Sequence, residues 1–190
     1  MPRTALAIID MQNDFVASEG RLCIAGAQDT VPQIRKVLEV FREQEWPVFH
    51  IQRSYRPDGV DTEWPRQEAF ARGQSAVTPG SWGAQIVDEL TPKANEYVVT
   101  KKRFSAFMHT EFDLLLRRLH ISDVTICGTQ LPVCVRCTVF DAIALDYRVT
   151  LLTDATSAQT PAIATANIQD MAAVGAFCLS TAAHIRQLNA

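Results

Sequence analysis

The sequence predicts an α/β fold: one domain, with a sheet of mainly parallel strands covered by helices on both faces. Three observations point there. Short apolar runs alternate with stretches of helical period along the chain. The runs are continuously apolar, as in strands buried on both faces, rather than alternating apolar with polar. No internal repeat, low-complexity segment or linker interrupts the 190 residues, a length that suits a single core.

Thr4 to Ile9 is the first strand, a β-prone apolar run that stops at Asp10. Asp14 and Phe15 follow in a polar loop. From Gln28 to Gln44, Val31, Ile34, Val37, Leu38 and Phe41 recur at three- and four-residue spacing, the stripe of an amphipathic helix. Pro47 leads into a second strand, Val48 to Gln52. Residues 53–80 read as a long loop with at most one helical turn, rich in Arg, Trp, Pro and Gly, and such loops are often functional. A short helix is expected over 82–90, then a third strand, Asn95 to Thr100, ending at Lys101. Met108 to Leu119 is expected to be helical, with Leu114, Leu115 and Leu119 inward.

Asp123 to Cys127 is the fourth strand, leading into GTQLPVCVRCT. Pro132 suits a first helical turn, and that helix is expected to run to about Tyr147. Arg148 to Leu152 forms the fifth strand and Pro161 to Val174 another helix. Ala176 to Leu179 reads as a short last strand before a closing helix.

Composition narrows the function. The net charge is −3 and no basic block occurs, which argues against nucleic acid as a partner. The apolar run after the N-terminus is too short for a signal-peptide core, and no stretch approaches the roughly 20 apolar residues of a membrane span. A cytoplasmic protein that binds no membrane is the expectation. The five cysteines, Cys23, Cys127, Cys134, Cys137 and Cys178, show no disulfide framework.

In open α/β sheets ligands bind beyond the carboxyl ends of the strands, near the point where strand order reverses. Asp10, Lys101 and Cys134 all lie at such ends. Cys134 falls in the first turn of the helix opened by Pro132, where free N–H groups and the helix dipole favour a thiolate and suit an oxyanion. It reads equally as a buried core cysteine. Asp10 is either a turn acid or a general base, and of the adjacent Lys101 and Lys102 at least one is solvated.

The segments IIDMQNDF, TKKRFSAFMHT and CGTQLPVCVRCT, in this order, resemble the three signature segments of isochorismatase-like hydrolases, a superfamily that includes nicotinamidases, carbamoylsarcosine and ureidoacrylate amidohydrolases and isochorismatases. The resemblance runs from residue 4 to about residue 175. It implies a Rossmann-like three-layer sandwich with a six-stranded sheet and a catalytic triad of Asp10, Lys101 and Cys134. Counting back four residues from Ser105 selects Lys101 rather than Lys102, and counting on six from Gly128 selects Cys134. The resemblance further implies a non-proline cis peptide between Thr129 and Gln130, with the N–H groups of Gln130 and Cys134 as the oxyanion hole. The reaction it implies is cleavage of a C–N bond in a small amide, ureido or carbamoyl compound, through a thioester at Cys134, without an organic cofactor. Superfamily members commonly pair or form tetramers, so a homo-oligomer is expected, and the apolar, alanine-rich run Pro161 to Ala176 suits either core or interface.

Nicotinamidases of this superfamily carry an Asp-x-His and a further His after the second strand. Here Val48 stands two before His50 and no second histidine follows nearby, which speaks against a bound metal and against nicotinamide. Phe15, Arg53, Tyr55, Arg56 and Trp64 are candidate substrate-binding residues. Arg53 and Arg56 are expected to grip a carboxylate on the substrate, or else to be solvated or paired with Asp58, Asp61 and Glu63. Two further readings compete. Isochorismatase-type vinyl-ether hydrolysis needs no covalent nucleophile. A thiol–disulfide role for the Cys134-x-x-Cys137 pair lacks the residues usually found between and beside redox cysteines.

Overall fold

The computed structural model describes residues 4–189. Six strands, β1 (Thr4–Ile9), β2 (Val48–Arg53), β3 (Tyr97–Lys101), β4 (Asp123–Gly128), β5 (Arg148–Thr156) and β6 (Phe177–Leu179), form one sheet in the order β3-β2-β1-β4-β5-β6. Every neighbouring pair is parallel. The chain starts at the centre of the sheet, moves out through β2 to β3, and returns to lay β4 on the other side of β1. Strand order therefore reverses between β1 and β4. A crevice opens there, beyond the carboxyl ends of both strands.

Successive side chains of a strand point to opposite faces, and β1 shows what covers each. Ala5, Ala7 and Ile9 enter one apolar cluster with Phe49, Val99, Phe112, Leu116, Val139 and Met171. Leu6 and Ile8 enter the other, with Val31, Ile34, Val37, Leu38 and Phe41. Helices α1 (Asn13–Val16), α2 (Ala27–Glu43) and α7 (Thr181–Leu188) contribute to the second face, and α4 (Phe112–Arg118), α5 (Arg136–Ala144) and α6 (Pro161–Ala173) to the first. The stripe expected on α2 is inward, and Ile34, Val37, Leu38 and Phe41 are fully buried. Each such side chain contributes roughly 1.5–3 kcal/mol.

Four local expectations are corrected. β2 runs on to Arg53, which pairs in register with Lys101 and so belongs to the sheet rather than the following loop. That loop contains a two-turn helix, α3 (Trp64–Ala71), which buries none of its residues. Residues 82–90 form two separate 3-10 turns, Trp82–Ala84 and Asp88–Leu90. The residues between them are drawn out by pairing with the chain after β1: Asn13 donates to the Gln85 carbonyl and Val87 to the Met11 carbonyl. The helix expected from Met108 begins only at Phe112, because His109 takes a left-handed conformation (φ 58°). Phe112 and Leu116 are its buried residues, Leu115 and Leu119 pack partly buried against the same cluster as expected, and Leu114 faces solvent.

Candidate active site

Asp10, Lys101 and Cys134 converge at the crevice, each placed by a different element. Asp10 is the first residue beyond β1 and has φ 50°, a left-handed conformation that Asp tolerates better than most residues. Its amide donates to the Ile51 carbonyl at 2.8 Å, so the chain leaves β1 tied to β2. Lys101 is the last residue of β3. Cys134 lies in a π-helical turn, Leu131–Val135, that runs straight into α5.

Lys101 Nζ donates to Asp10 Oδ2 at 2.7 Å and to the Arg103 carbonyl at 3.3 Å. Lys101 is completely buried and Asp10 is 1% exposed, so this ion pair is shielded from water. Asp10 Oδ1 is buried without a partner. Lys102, the alternative to Lys101, turns away: its Nζ reaches the Ser54 carbonyl at 2.6 Å and Asp61 at 2.9 Å.

A second cation joins the site. Arg53 Nη2 donates to Cys134 Sγ at 3.1 Å and lies 3.8 Å from Asp10 Oδ2. Its Nη1 donates to Glu63 Oε1 at 2.6 Å and to the Tyr55 hydroxyl, which in turn donates to Glu63 Oε2. The Arg53 backbone is clamped by one side chain. Gln12 Oε1 accepts from its amide at 2.7 Å, and Gln12 Nε2 donates to its carbonyl and to that of Ala84, both at 2.9 Å.

The charge state of Cys134 differs from the sequence expectation. Burial pushes its thiol above the ordinary range; Lys101 and Arg53 pull the other way, and Asp10 adds to the rise. Desolvation is the largest of these influences and favours the neutral thiol over the thiolate expected from the helix start. Burial likewise raises the Tyr55 phenol, which stays protonated.

The turn before Cys134 is built tightly against β1. Gly128 has φ 109°, and a Cβ there would stand 2.2 Å from the Ile9 carbonyl oxygen, so only glycine fits. The Thr129–Gln130 peptide is cis. Thr129 donates its amide to the Ile9 carbonyl at 2.9 Å and accepts from the Ser157 hydroxyl at 2.8 Å, while the Ser157 carbonyl accepts from Leu131 at 2.8 Å. The Gln130 carbonyl caps the turn, accepting from Val133 and Val135 at 3.1 and 3.2 Å.

Of the candidate substrate-binding residues, Arg53 and Tyr55 are in this cluster, but both are buried and engaged with Glu63. Arg56 is on the surface, paired with Asp58 at 3.1 Å, and Trp64 is 84% exposed on α3. Phe15 packs in the apolar cluster beneath α2. The expected grip of Arg53 and Arg56 on a substrate acid thus gives way to internal pairing, because β2 carries Arg53 inside and Asp58 holds Arg56 outside. Cys137 stands one turn beyond Cys134, half-buried, and all five cysteines are free. His50 is remote from this cluster in its bonding, its Nε2 2.8 Å from Glu96 Oε2. Among the described residues no three His, Cys, Asp or Glu side chains gather as a metal site would require.

Gln12, Thr138 and Ser157 are not singled out by the sequence, and Glu63 only as one of three acids that could pair with Arg53 or Arg56. Gln12, Thr138 and Ser157 act by hydrogen bonds across 28 residues or more, to Arg53, Ala106 and Thr129, which no local spacing signals.

The isochorismatase domain model matches residues 4–183. A probable inactive nicotinamidase of Arabidopsis thaliana is 40% identical over 175 residues, covering 90% of this chain and 89% of that protein. A ureidoacrylate amidohydrolase of Azorhizobium caulinodans is 31% identical over 172 residues, covering 80% of this chain and 75% of that protein. The crystal structure of an isochorismatase family protein from Desulfovibrio vulgaris superposes with a TM-score of 0.96 at 46% identity, over all of both chains.

Proposed function

The chain belongs to the isochorismatase family, and from that premise we propose that it is a cysteine hydrolase cleaving the C–N bond of a small amide, ureido or carbamoyl compound. The observation that carries this reading is the buried Asp10–Lys101 pair at 2.7 Å beside a cysteine held at the start of a helix.

The free Oδ1 of Asp10 takes the Cys134 proton as Sγ attacks the carbonyl carbon. The carbonyl π pair moves onto oxygen, where the N–H groups of Gln130 and Cys134 receive it as an oxyanion hole. As the intermediate collapses, the C–N bond breaks and Asp10 returns its proton to the leaving nitrogen, giving ammonia or an amine and a thioester. Asp10 then takes a proton from water, hydroxide adds to the thioester, and the acid leaves as Sγ regains its proton. Lys101, bonded to Asp10 Oδ2 at 2.7 Å, steadies by proximity the charges that form. No organic cofactor takes part.

The reacting groups are almost wholly enclosed, with Cys134 only 6% exposed, which favours a small substrate. By the same reading the chain assembles as a homo-oligomer, since α6 buries only Met171 in its own core; light scattering reads this as more than one chain's mass. The ureidoacrylate relative supports the C–N class, and the name of the Arabidopsis relative raises the opposite outcome. Screening small amides and ureides for ammonia release decides between them. The expected result is turnover by the natural chain, a Cys134 thioester seen by mass spectrometry, and loss of both in Cys134→Ala. Turnover that survives Cys134→Ala would point to vinyl-ether chemistry, and no release from any amide or ureide would reject the proposal.

A further inference from the structure

We infer that Arg53 is a further catalytic residue of this site, its guanidinium receiving the negative charge that forms on Cys134, with Glu63 and Tyr55 as the positioning residues that aim it. This rests on the cysteine-hydrolase reading.

The charges make the case. Before reaction the buried groups balance in two pairs, Asp10 with Lys101 at 2.7 Å and Glu63 with Arg53 at 2.6 Å, while burial favours the neutral form of Cys134. Moving the thiol proton to Asp10 neutralises that carboxylate, leaves Lys101 without its counter-charge and creates an anion on Sγ. The donor already in contact with Sγ is Arg53 Nη2, at 3.1 Å. Lys101 directs its ammonium to Asp10 and to the Arg103 carbonyl instead. Arg53 is therefore the cation in contact where the new charge appears. An arginine suits this position because its guanidinium stays charged when buried, where a lysine readily loses its proton.

The surroundings fix where that guanidinium points. Nη1 is held by Glu63 and Tyr55, which leaves Nη2 directed at sulfur. Its central carbon lies 5.4 Å from the centre of the Tyr55 ring and 5.5 Å from that of Phe104, within the range of cation–π attraction. Gln12 holds the backbone on both sides of the residue. At 1% exposure, the side chain is built to meet the nucleophile and not to collect ligands from solvent.

The charged and titratable groups that act on Cys134 come from every strand end around it: Asp10 after β1, Arg53 on β2 and Lys101 on β3, with Glu63 acting through Arg53 and Cys137 one turn along on α5. A purely structural Arg53–Glu63 pair would stabilise the fold without moving the titration of the thiol. The two roles therefore separate in a pH profile.

The experiment follows carboxamidomethylation of Cys134 by iodoacetamide against pH, by peptide mass spectrometry, in the full-length chain and in Arg53→Gln and Glu63→Gln. Arg53→Gln is expected to raise the midpoint by about one pH unit or more, the usual effect of losing an opposite charge at this range. That is a roughly tenfold slower reaction near neutrality. Glu63→Gln keeps the cation, frees it from its competing carboxylate, and is expected to lower the midpoint. A folded Arg53→Gln with an unchanged midpoint would overturn the inference. If Arg53→Gln does not fold, Glu63→Gln decides alone, and an unchanged or higher midpoint there rejects it. The readout needs no substrate, so it stays distinct from the test of the hydrolase reading, which fails only on turnover.

Discussion

The Thr138 hydroxyl donates to the Cys134 carbonyl at 2.7 Å and accepts from the Ala106 amide at 3.0 Å. One side chain thus joins the turn carrying the cysteine to the segment that follows Lys101. Thr138 is completely buried. Thr138→Val keeps the volume and leaves the Ala106 amide without a partner, which costs roughly 1–3 kcal/mol. Stability in denaturant should fall by that amount, and kcat for the amide found by screening should fall with KM little changed. Unchanged stability would show that water or another group takes the bond.

Breaking the Asp10–Lys101 pair should be more damaging. Both partners are shielded from water, so Lys101→Met leaves a carboxylate buried beside only one longer-range cation, Arg53 at 3.8 Å from the shared oxygen. Removal of one partner from a buried pair costs about 3–5 kcal/mol, whereas replacing both is far cheaper. The double variant Asp10→Asn with Lys101→Met should therefore recover much of the stability lost by Lys101→Met, and none of the activity. Denaturation midpoints of the two variants check this. Equal destabilisation would mean that the pair is not coupled as its geometry implies.

The fold was largely legible because its signals are local. The apolar run to Ile9, the α2 stripe and the Pro132 helix start all report burial or backbone preference within a few residues. Asp10, Lys101 and Cys134 were legible only through position at strand ends and through the resemblance of three motifs. The surroundings were not. Arg53 reads as a loop residue until β3 extends β2 by pairing Lys101 with it, and nothing local selects Glu63 over Asp58 and Asp61 as the acid that reaches that arginine. Residues 82–90 misled for the same reason, since their helical pattern gives way to pairing with Met11 and Asn13.

Acid should weaken the fold through a cluster on the β2–β3 side. Glu96 accepts from the Arg42 guanidinium at 2.6 Å and from the Lys93 backbone amide at 2.9 Å. Burial opposes its charge, and these bonds together with that from His50 prevail, lowering its pKa from 4.5 to about 2. His50 is depressed below its ordinary 6.5, chiefly by burial, so it is neutral beside Glu96 and their contact is a hydrogen bond rather than an ion pair. Both signs agree. A depressed carboxylate contributes stability that is present above pH 4.5 and lost as pH falls toward 2. A depressed histidine binds its proton more readily in the unfolded chain, so stability also declines as pH falls below 6.5. Thermal melts between pH 7 and 3 should show a falling midpoint, and Glu96→Gln should flatten the part below pH 4.5. A steeper acid slope in Glu96→Gln would contradict this.

Thiol chemistry should separate access from function. Cys23 is exposed and distant in sequence from the site, while Cys134 is buried and its thiol is pushed up by that burial. Iodoacetamide at neutral pH should therefore label Cys23 first, with activity intact. Below the thiol pKa the thiolate fraction grows about tenfold per pH unit, so labelling of Cys134 should accelerate as pH rises, because the thiolate is the reactive form. Loss of ammonia release should follow Cys134 labelling and be indifferent to Cys23→Ser. Cys137 offers the control, since it is half-buried one turn away and its thiol is also raised, first by burial. Inactivation that tracked the Cys137 peptide while Cys134 stayed unmodified would move the nucleophile one turn along α5 and remove the proposed role of Cys134.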